Sequence, residues 1–135
     1  MIDHSLELRI SGVTHFRAGN TGQIVGARVY GERAENDPTW PFVKCGLPIY
    51  SGFEASCWEG SDHSWTIHTF ANGPDESVIA ALNNAVIEDL KTLEMTGSLF
   101  IVEMSDPQVQ VIHDTPESSD YHGIIQVDVT TAQTV

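Results

Sequence analysis

The sequence predicts an α+β domain: a mostly antiparallel β-sheet with two helices packed on one face, in the order α-β-β-α-β-β. Two observations lead there. Residues 5–17 and 78–90 carry apolar side chains at helical spacing, whereas SWTIHTFA (64–71) and YHGIIQVDVTTA (121–132) alternate with the two-residue period of strands. The strand-like stretches come in pairs, one after each helix, separated by clusters of Gly, Pro, Asn, Asp and Ser. At 135 residues the chain has the size of one domain that buries a core without disulfide or metal staples, so 1–135 reads as a single unit.

In the first helix, Ser5 to Arg17, the residues Leu6, Ile10, Val13 and Phe16 recur at steps of 4, 3 and 3 and form the expected buried stripe. Asp3 or Ser5 is placed to cap its start, and Gly19 to end it in the left-handed conformation. Ile24 to Tyr30 is a short apolar piece, a first strand or a turn, and GERAENDPT (31–39) is an expected exposed loop. PFVKCGLPIY (41–50) reads as a strand. A proline cannot donate to a ladder, so Pro41 and Pro48 predict an edge strand, bulged or broken near Gly46-Leu47-Pro48. FEASCW (53–58) continues it to an expected turn at Glu59-Gly60-Ser61-Asp62. In the next strand Trp65, Ile67 and Thr69 share one face and Thr66, His68 and Phe70 the other.

Asn72-Gly73 is ordinarily a strong hairpin signal. Here Pro74-Asp75-Glu76 follows, and then Val78, Ile79, Leu82, Val86 and Leu90 at helical spacing. A proline and two acids ahead of such a stripe mark a helix N-terminus, so the strand exits into a helix. Beyond it come SLFIVEM (98–104), PQVQVIHD (107–114), the acidic loop TPESSD (115–120) and a last strand with Ile125, Val127, Val129 and Thr131 on one face.

Charge narrows the function classes. Nineteen acids face six bases, giving −13. Lys91 is the last base; Glu94, Glu103, Asp106, Asp114, Glu117, Asp120 and Asp128 follow it. Such a surface repels phosphates and anionic lipid, which disfavours direct nucleic-acid or membrane-surface binding. No apolar run approaches the ~18 residues of a membrane helix. The start, MIDHSLELRI, lacks the basic and apolar regions of a secretory signal. Cys45 and Cys57 are expected as reduced thiols in a protein made in the cytoplasm.

The search for chemistry returns little. Cys45, Cys57, His63 and His68 lack the paired spacing that brings zinc ligands together. Asp62-His63-Ser64 is a triad in letters only, because consecutive residues point in different directions. There is no G-x-S-x-G elbow and no glycine-rich phosphate loop. The expectation is therefore no enzyme and no cofactor. Trp40 and Trp58 border loops, where an indole suits a protein interface. Interface contacts are expected from Trp40, Pro41, Phe42 and Trp58, with Thr39-Trp40-Pro41-Phe42 as an exposed apolar edge, and from the acidic loop at Glu117 and Asp120.

Four stretches carry a family likeness: the VYG at 29–31, Pro41-Phe42-Val43-Lys44-Cys45-Gly46 in the form P-[FY]-V-x-x-G, TIHTFANGPDESVIAALNNAVIEDL (66–90), and Tyr121-His122-Gly123 ahead of the closing strand. Their order resembles the tail-completion, or tail-terminator, proteins of long-tailed bacteriophages and of gene transfer agents. Phe70 stands where that family often has tryptophan, and GNTGQ and GERAENDPT depart most from it. The resemblance implies a virion protein without catalytic residues. It would form a ring, usually of six subunits, at the head-proximal end of the tail, end tail-tube polymerisation and offer the surface on which the head docks. The implied partners are copies of itself, the major tail tube protein and a head–tail connector or adaptor, with DNA passing through an acidic lumen. The implied location is the virion, after synthesis in the host bacterium. The alternative is a small acidic inhibitor or DNA mimic acting on a host enzyme, ranked lower because the acids lie mainly in loops and strands. An enzyme subunit or ligand-binding α+β domain ranks third.

Overall fold

The computed structural model describes residues 3–31, 38–55, 58–113 and 120–134, the side chains of 52–55, 58 and 59 excepted. The elements are α1 (Ser5–Ala18), α2 (Asn20–Val25), β1 (Val29–Tyr30), β2 (Phe42–Cys45), β3 (Ile49–Ala55), β4 (Trp58–Asn72), α3 (Ser77–Lys91), β5 (Leu99–Met104), β6 (Gln108–His113) and β7 (Asp120–Gln133). The fold class is the α+β one that the sequence predicts, with a third, short helix added.

Two long antiparallel strands, β4 and β7, run down the middle in register from Gly60↔Ala132 to Asn72↔Asp120. Each is flanked by two shorter strands lying end to end. β2 and β3 pair with β4, while β5 and β6 pair with β7. β1 joins β2 in parallel, so the sheet is mixed and runs β1-β2-β4-β7-β5 along its main path. The interruption between β2 and β3 falls at Gly46-Leu47-Pro48, as Pro48 predicts. It is pinned from inside the core, where Trp65 Nε1 donates to the Gly46 carbonyl at 2.9 Å.

The period-two pattern decides which face is covered. Trp65, Ile67 and Thr69 of β4 and Ile125, Val127, Val129 and Thr131 of β7 are buried beneath the helices. No hairpin forms at Asn72-Gly73: the chain leaves β4 and enters α3, which buries Ile79, Leu82, Val86 and Leu90 as expected. Burying side chains of this size contributes roughly 1.5–3 kcal/mol each, which makes this stripe the main reason α3 stays docked.

α1 turns a different face to the sheet from the one its apolar pattern suggests. The buried positions are Leu8, Ser11, Gly12 and Phe16, while Leu6 and Ile10 are 49% and 54% exposed. The reason is Trp65. Its indole lies directly under Gly12, and a Cβ there would overlap the ring. The closest approach of helix to sheet is therefore centred on a glycine, with Leu8 and Phe16 one turn to either side. Phe16 stacks on Trp65 at 6.2 Å between ring centres. The N-cap position is His4, which makes no side-chain cap; just ahead of it the Asp3 carboxylate accepts from the Ser5 amide at 2.8 Å and from the Ser5 hydroxyl.

Gly19 does not take the expected left-handed conformation; it is extended, at φ −100°. The chain leads straight into α2, which carries no cap of its own. Asp89 of α3 supplies one. Its buried carboxylate accepts from the Asn20 amide (2.9 Å), the Asn20 side chain (3.1 Å), the Thr21 amide (2.8 Å) and the Thr21 hydroxyl (2.7 Å). The two backbone amides among them are orphan donors of a helix N-terminus, satisfied from another element.

The turn expected at Glu59-Gly60-Ser61-Asp62 is strand instead. Gly60 sits inside β4 between Phe53 and Ala132, and β3 ends with Ala55 opposite Trp58. Residues 32–37 of the expected GERAENDPT loop, and most of TPESSD, lie outside the described residues.

Candidate functional site: the outer sheet face

Odd-numbered positions of β4 point at the helices and even-numbered ones point away, which sorts the chemistry-bearing residues at once. Cys45 and His63 are on the helix face and His68 is on the outer face, so these three cannot converge on one ion. Cys57, the fourth residue of that set, lies outside the described residues. Burial pushes the Cys45 thiol up to about 12, with Arg9 and Arg17 partly opposing the shift. It is a small core hydrophobe.

His63 belongs to a buried polar chain. Ser5 Oγ lies 3.3 Å from His63 Nδ1, and His63 Nε2 lies 3.1 Å from Thr131 Oγ1, which His4 Nδ1 reaches from its other side at 2.9 Å. Burial holds His63 below the ordinary histidine range, with Asp3 opposing. Burial tends to raise the pKa of Asp3, but hydrogen bonds from Ser5 and the nearby His63 and His4 outweigh it and hold the carboxyl low. Ser5 and His63 are 2% exposed and the cluster ties α1 to the sheet, with His63 at the wall of a surface pocket that Ile49, Ser51 and Val129 also line. Asp62 points the other way, accepting from the Thr130 hydroxyl at 2.6 Å.

The outer face carries the more notable arrangement. Register places Phe42 of β2, Phe70 of β4, His122 of β7 and Ile112 of β6 in one row across four strands. Phe42 stacks on Phe70 at 4.5 Å and 12°, and Phe70 on His122 at 4.4 Å and 12°. Trp40 stands edge-on over the first pair, 5.4 Å from Phe42 and 5.8 Å from Phe70. Tyr30 closes the other side of Phe42 at 6.1 Å. His68 Nδ1 lies 2.8 Å from His122 Nε2. Burial, with His122 and Lys44 adding, holds His68 below the ordinary histidine range.

Of the residues expected at an interface, Trp40, Pro41 and Phe42 come together here. Only part of that segment faces solvent: Phe42 is 6% exposed because Trp40 and Phe70 cover it. Trp40 and Pro41 are half-buried, joined by a cis peptide bond, and the Pro41 carbonyl accepts from Arg28 Nε at 2.9 Å. Asp120, at the start of β7 opposite Asn72, is two residues from His122 on the same outer face and so borders this row. The side chain of Trp58 and all of Glu117 lie outside the described residues. Sequence reasoning missed Phe70, His68 and His122 as members of this surface. Their separation along the chain hides them, and only the β4–β7 register brings them together.

Gly123, in the Tyr121-His122-Gly123 stretch, has a packing role. On the opposite face of β7 a Cβ at this position would overlap Thr69 Oγ1 and lie 2.6 Å from Asn83 Oδ1. Thr69 donates to Asn83 in a buried hydrogen bond that ties α3 to β4. A glycine leaves room for that pair.

No model of a known protein family matches the chain, and no curated protein matches it. Among solved structures, a chain described as "Virion of native gene transfer agent (GTA) particle" aligns with a TM-score of 0.76 at 13% identity, covering 98% of this chain and 99% of that one. A second solved chain aligns at a TM-score of only 0.48 and 10% identity. The fold is thus similar, end to end, to that of a protein found in a gene transfer agent particle.

Proposed function

We propose that this chain is a structural protein of a phage-type or gene transfer agent particle, acting at the head-proximal end of the tail. In this reading it caps the tail tube, ends its polymerisation and gives the head a surface to join, as a ring of six copies. The observation that carries the reading is the end-to-end likeness to a chain of a gene transfer agent virion. The family resemblance of the VYG, P-[FY]-V-x-x-G and Tyr121-His122-Gly123 stretches points the same way.

The geometry suits such work. β6 is a sheet edge with Val109, Val111 and Ile112 exposed and no formal charge between Pro107 and Ile112. An edge of this kind accepts a strand from a neighbour. Partners in the proposal are further copies of the chain, the tail tube protein and a head-side connector, with no enzymatic step and no cofactor. The acids of the C-terminal third would line a lumen through which DNA passes without adhering.

The test is assembly in vitro. Purified chain is added to tail tube protein polymerising from the same particle, and the tubes are viewed by electron microscopy. Density on one end of each tube, with growth halted, supports the proposal. Tubes that grow unaffected and bare would sink it.

A further inference from the structure

Among the described residues, two surfaces are complementary in polarity and charge. The first is the solvent side of α1. Leu6 and Ile10 are the two exposed large apolar residues of that helix, one turn apart, and Arg17 continues the same stripe. Arg9 flanks it beside Gly31. Among the described residues no carboxylate lies within ion-pair distance of Arg9 or Arg17; Lys91–Glu88 is the ion pair they contain. In a chain of net charge −13, two such arginines beside exposed leucine and isoleucine are an unusual concentration. The apolar spacing that reads as core in the sequence is in large part this outward face.

The second surface is a groove of about 290 Å³ between the last turns of α3 and β5. Ile87, Leu90, Leu93, Ile101 and Met104 line it, and Asp106 stands at its rim. Glu94, exposed, adjoins the lining residue Leu93 along the chain, whereas Glu103 pairs with Thr130 and points to the outer sheet face. The groove is apolar with an acidic border; the helix stripe is apolar with a basic border. Lys91 on the rim is already matched to Glu88 at 2.9 Å.

We infer that the exposed stripe of α1 in one copy docks into the α3–β5 groove of a second copy, with Arg9 and Arg17 facing the acids of the rim. The two surfaces are different patches of one molecule, so the contact is heterologous: every copy offers one stripe and one groove, and repetition gives the proposed ring where the rotation between copies closes, a filament where it does not. Charge matching also selects the pairing, since a copy approaching by any acidic patch is repelled. This inference rests on the ring proposed above and names the contact that would build it.

The experiment measures self-association of the full chain by sedimentation velocity, up to millimolar concentration and at several salt concentrations. Ile10→Asp is expected to weaken association about tenfold or more, because it removes a buried apolar side chain from the contact. Arg17→Glu and Asp106→Lys are each expected to weaken it, and the two together to restore it. Arg17 and Asp106 are charged and exposed and Ile10 is over half exposed; because Arg17→Glu also loses the donation from Arg17 Nη2 to the Val29 carbonyl at 2.6 Å, circular dichroism establishes that each variant is folded before its association is read. Association that survives Ile10→Asp and Asp106→Lys unchanged overturns the docking mode and leaves the ring standing. A wild-type chain that stays monomeric throughout overturns this inference and leaves the groove to a different protein; the tube-capping assay above then decides the ring reading on its own.

Discussion

Replacing Asp89 by alanine should cost about 3–5 kcal/mol, which is large against the 5–15 kcal/mol of a typical domain. Four donors converge on this carboxylate, two from Asn20 and two from Thr21. Thr21 is fully buried and Asp89 nearly so, which means water cannot take over at Thr21. Each buried donor left without an acceptor costs roughly 1–3 kcal/mol, and the loss of an N-cap alone costs about 0.5–2. The contributions are not additive, because the amide and hydroxyl of Thr21 share one oxygen, and 3–5 kcal/mol allows for that. For a chain of this length the corresponding fall in melting temperature is about 10–18 °C. Asp89→Asn keeps one acceptor oxygen but turns an NH2 group toward the other donors, so it should fall between wild type and alanine. Urea unfolding followed by tryptophan fluorescence measures both. An alanine variant within 1 kcal/mol of wild type would refute the claim that α3 holds the start of α2.

Three further outcomes follow from the packing and the titrating groups. Gly123→Ala should cost about 1–3 kcal/mol by urea unfolding, because its methyl group must part the Thr69–Asn83 hydrogen bond; a cost below 0.5 would show that the site yields freely. His63 and His68 both titrate below the usual 6.5 in the fold. The unfolded chain therefore binds more protons than the folded one as pH falls below about 6.5, and stability should drop from pH 7.5 to 5.5. His68→Asn should make that drop shallower, and an unchanged slope would count against the His68 contribution. Cys45, pushed up to about 12, should resist iodoacetamide at pH 8 in a Cys57→Ser background and react once urea is added; rapid native labelling would contradict its burial.

The sequence made α3, β4 and β7 legible because in each the local signal and the tertiary demand agree. Pro74-Asp75-Glu76 forbids a hairpin at Asn72-Gly73 and starts a helix whose apolar stripe is also its docking face. α1 was legible as a helix but not in its orientation. A search for apolar positions passes over Gly12, yet the Trp65 indole makes that glycine the contact point and turns Leu6 and Ile10 outward. Gly60-Ser61-Asp62 reads as a turn by composition, but the long ladder with β7 overrides that preference. α2 gave no periodic signal because its start is held by a carboxylate far along the chain. The outer face was half visible. Trp40, Pro41 and Phe42 stood out by type and setting as interface candidates, although the fold buries Phe42, whereas His68, Phe70 and His122 join them through register, which only the folded sheet supplies.

The central claim, a structural role at the head-proximal end of a tail, is tested most directly by disrupting the gene and viewing the particles by electron microscopy. The account predicts tails of uncontrolled length, or filled heads and tails that fail to join, with wild-type chain restoring normal particles. Joined, infectious particles with tails of normal length would contradict it.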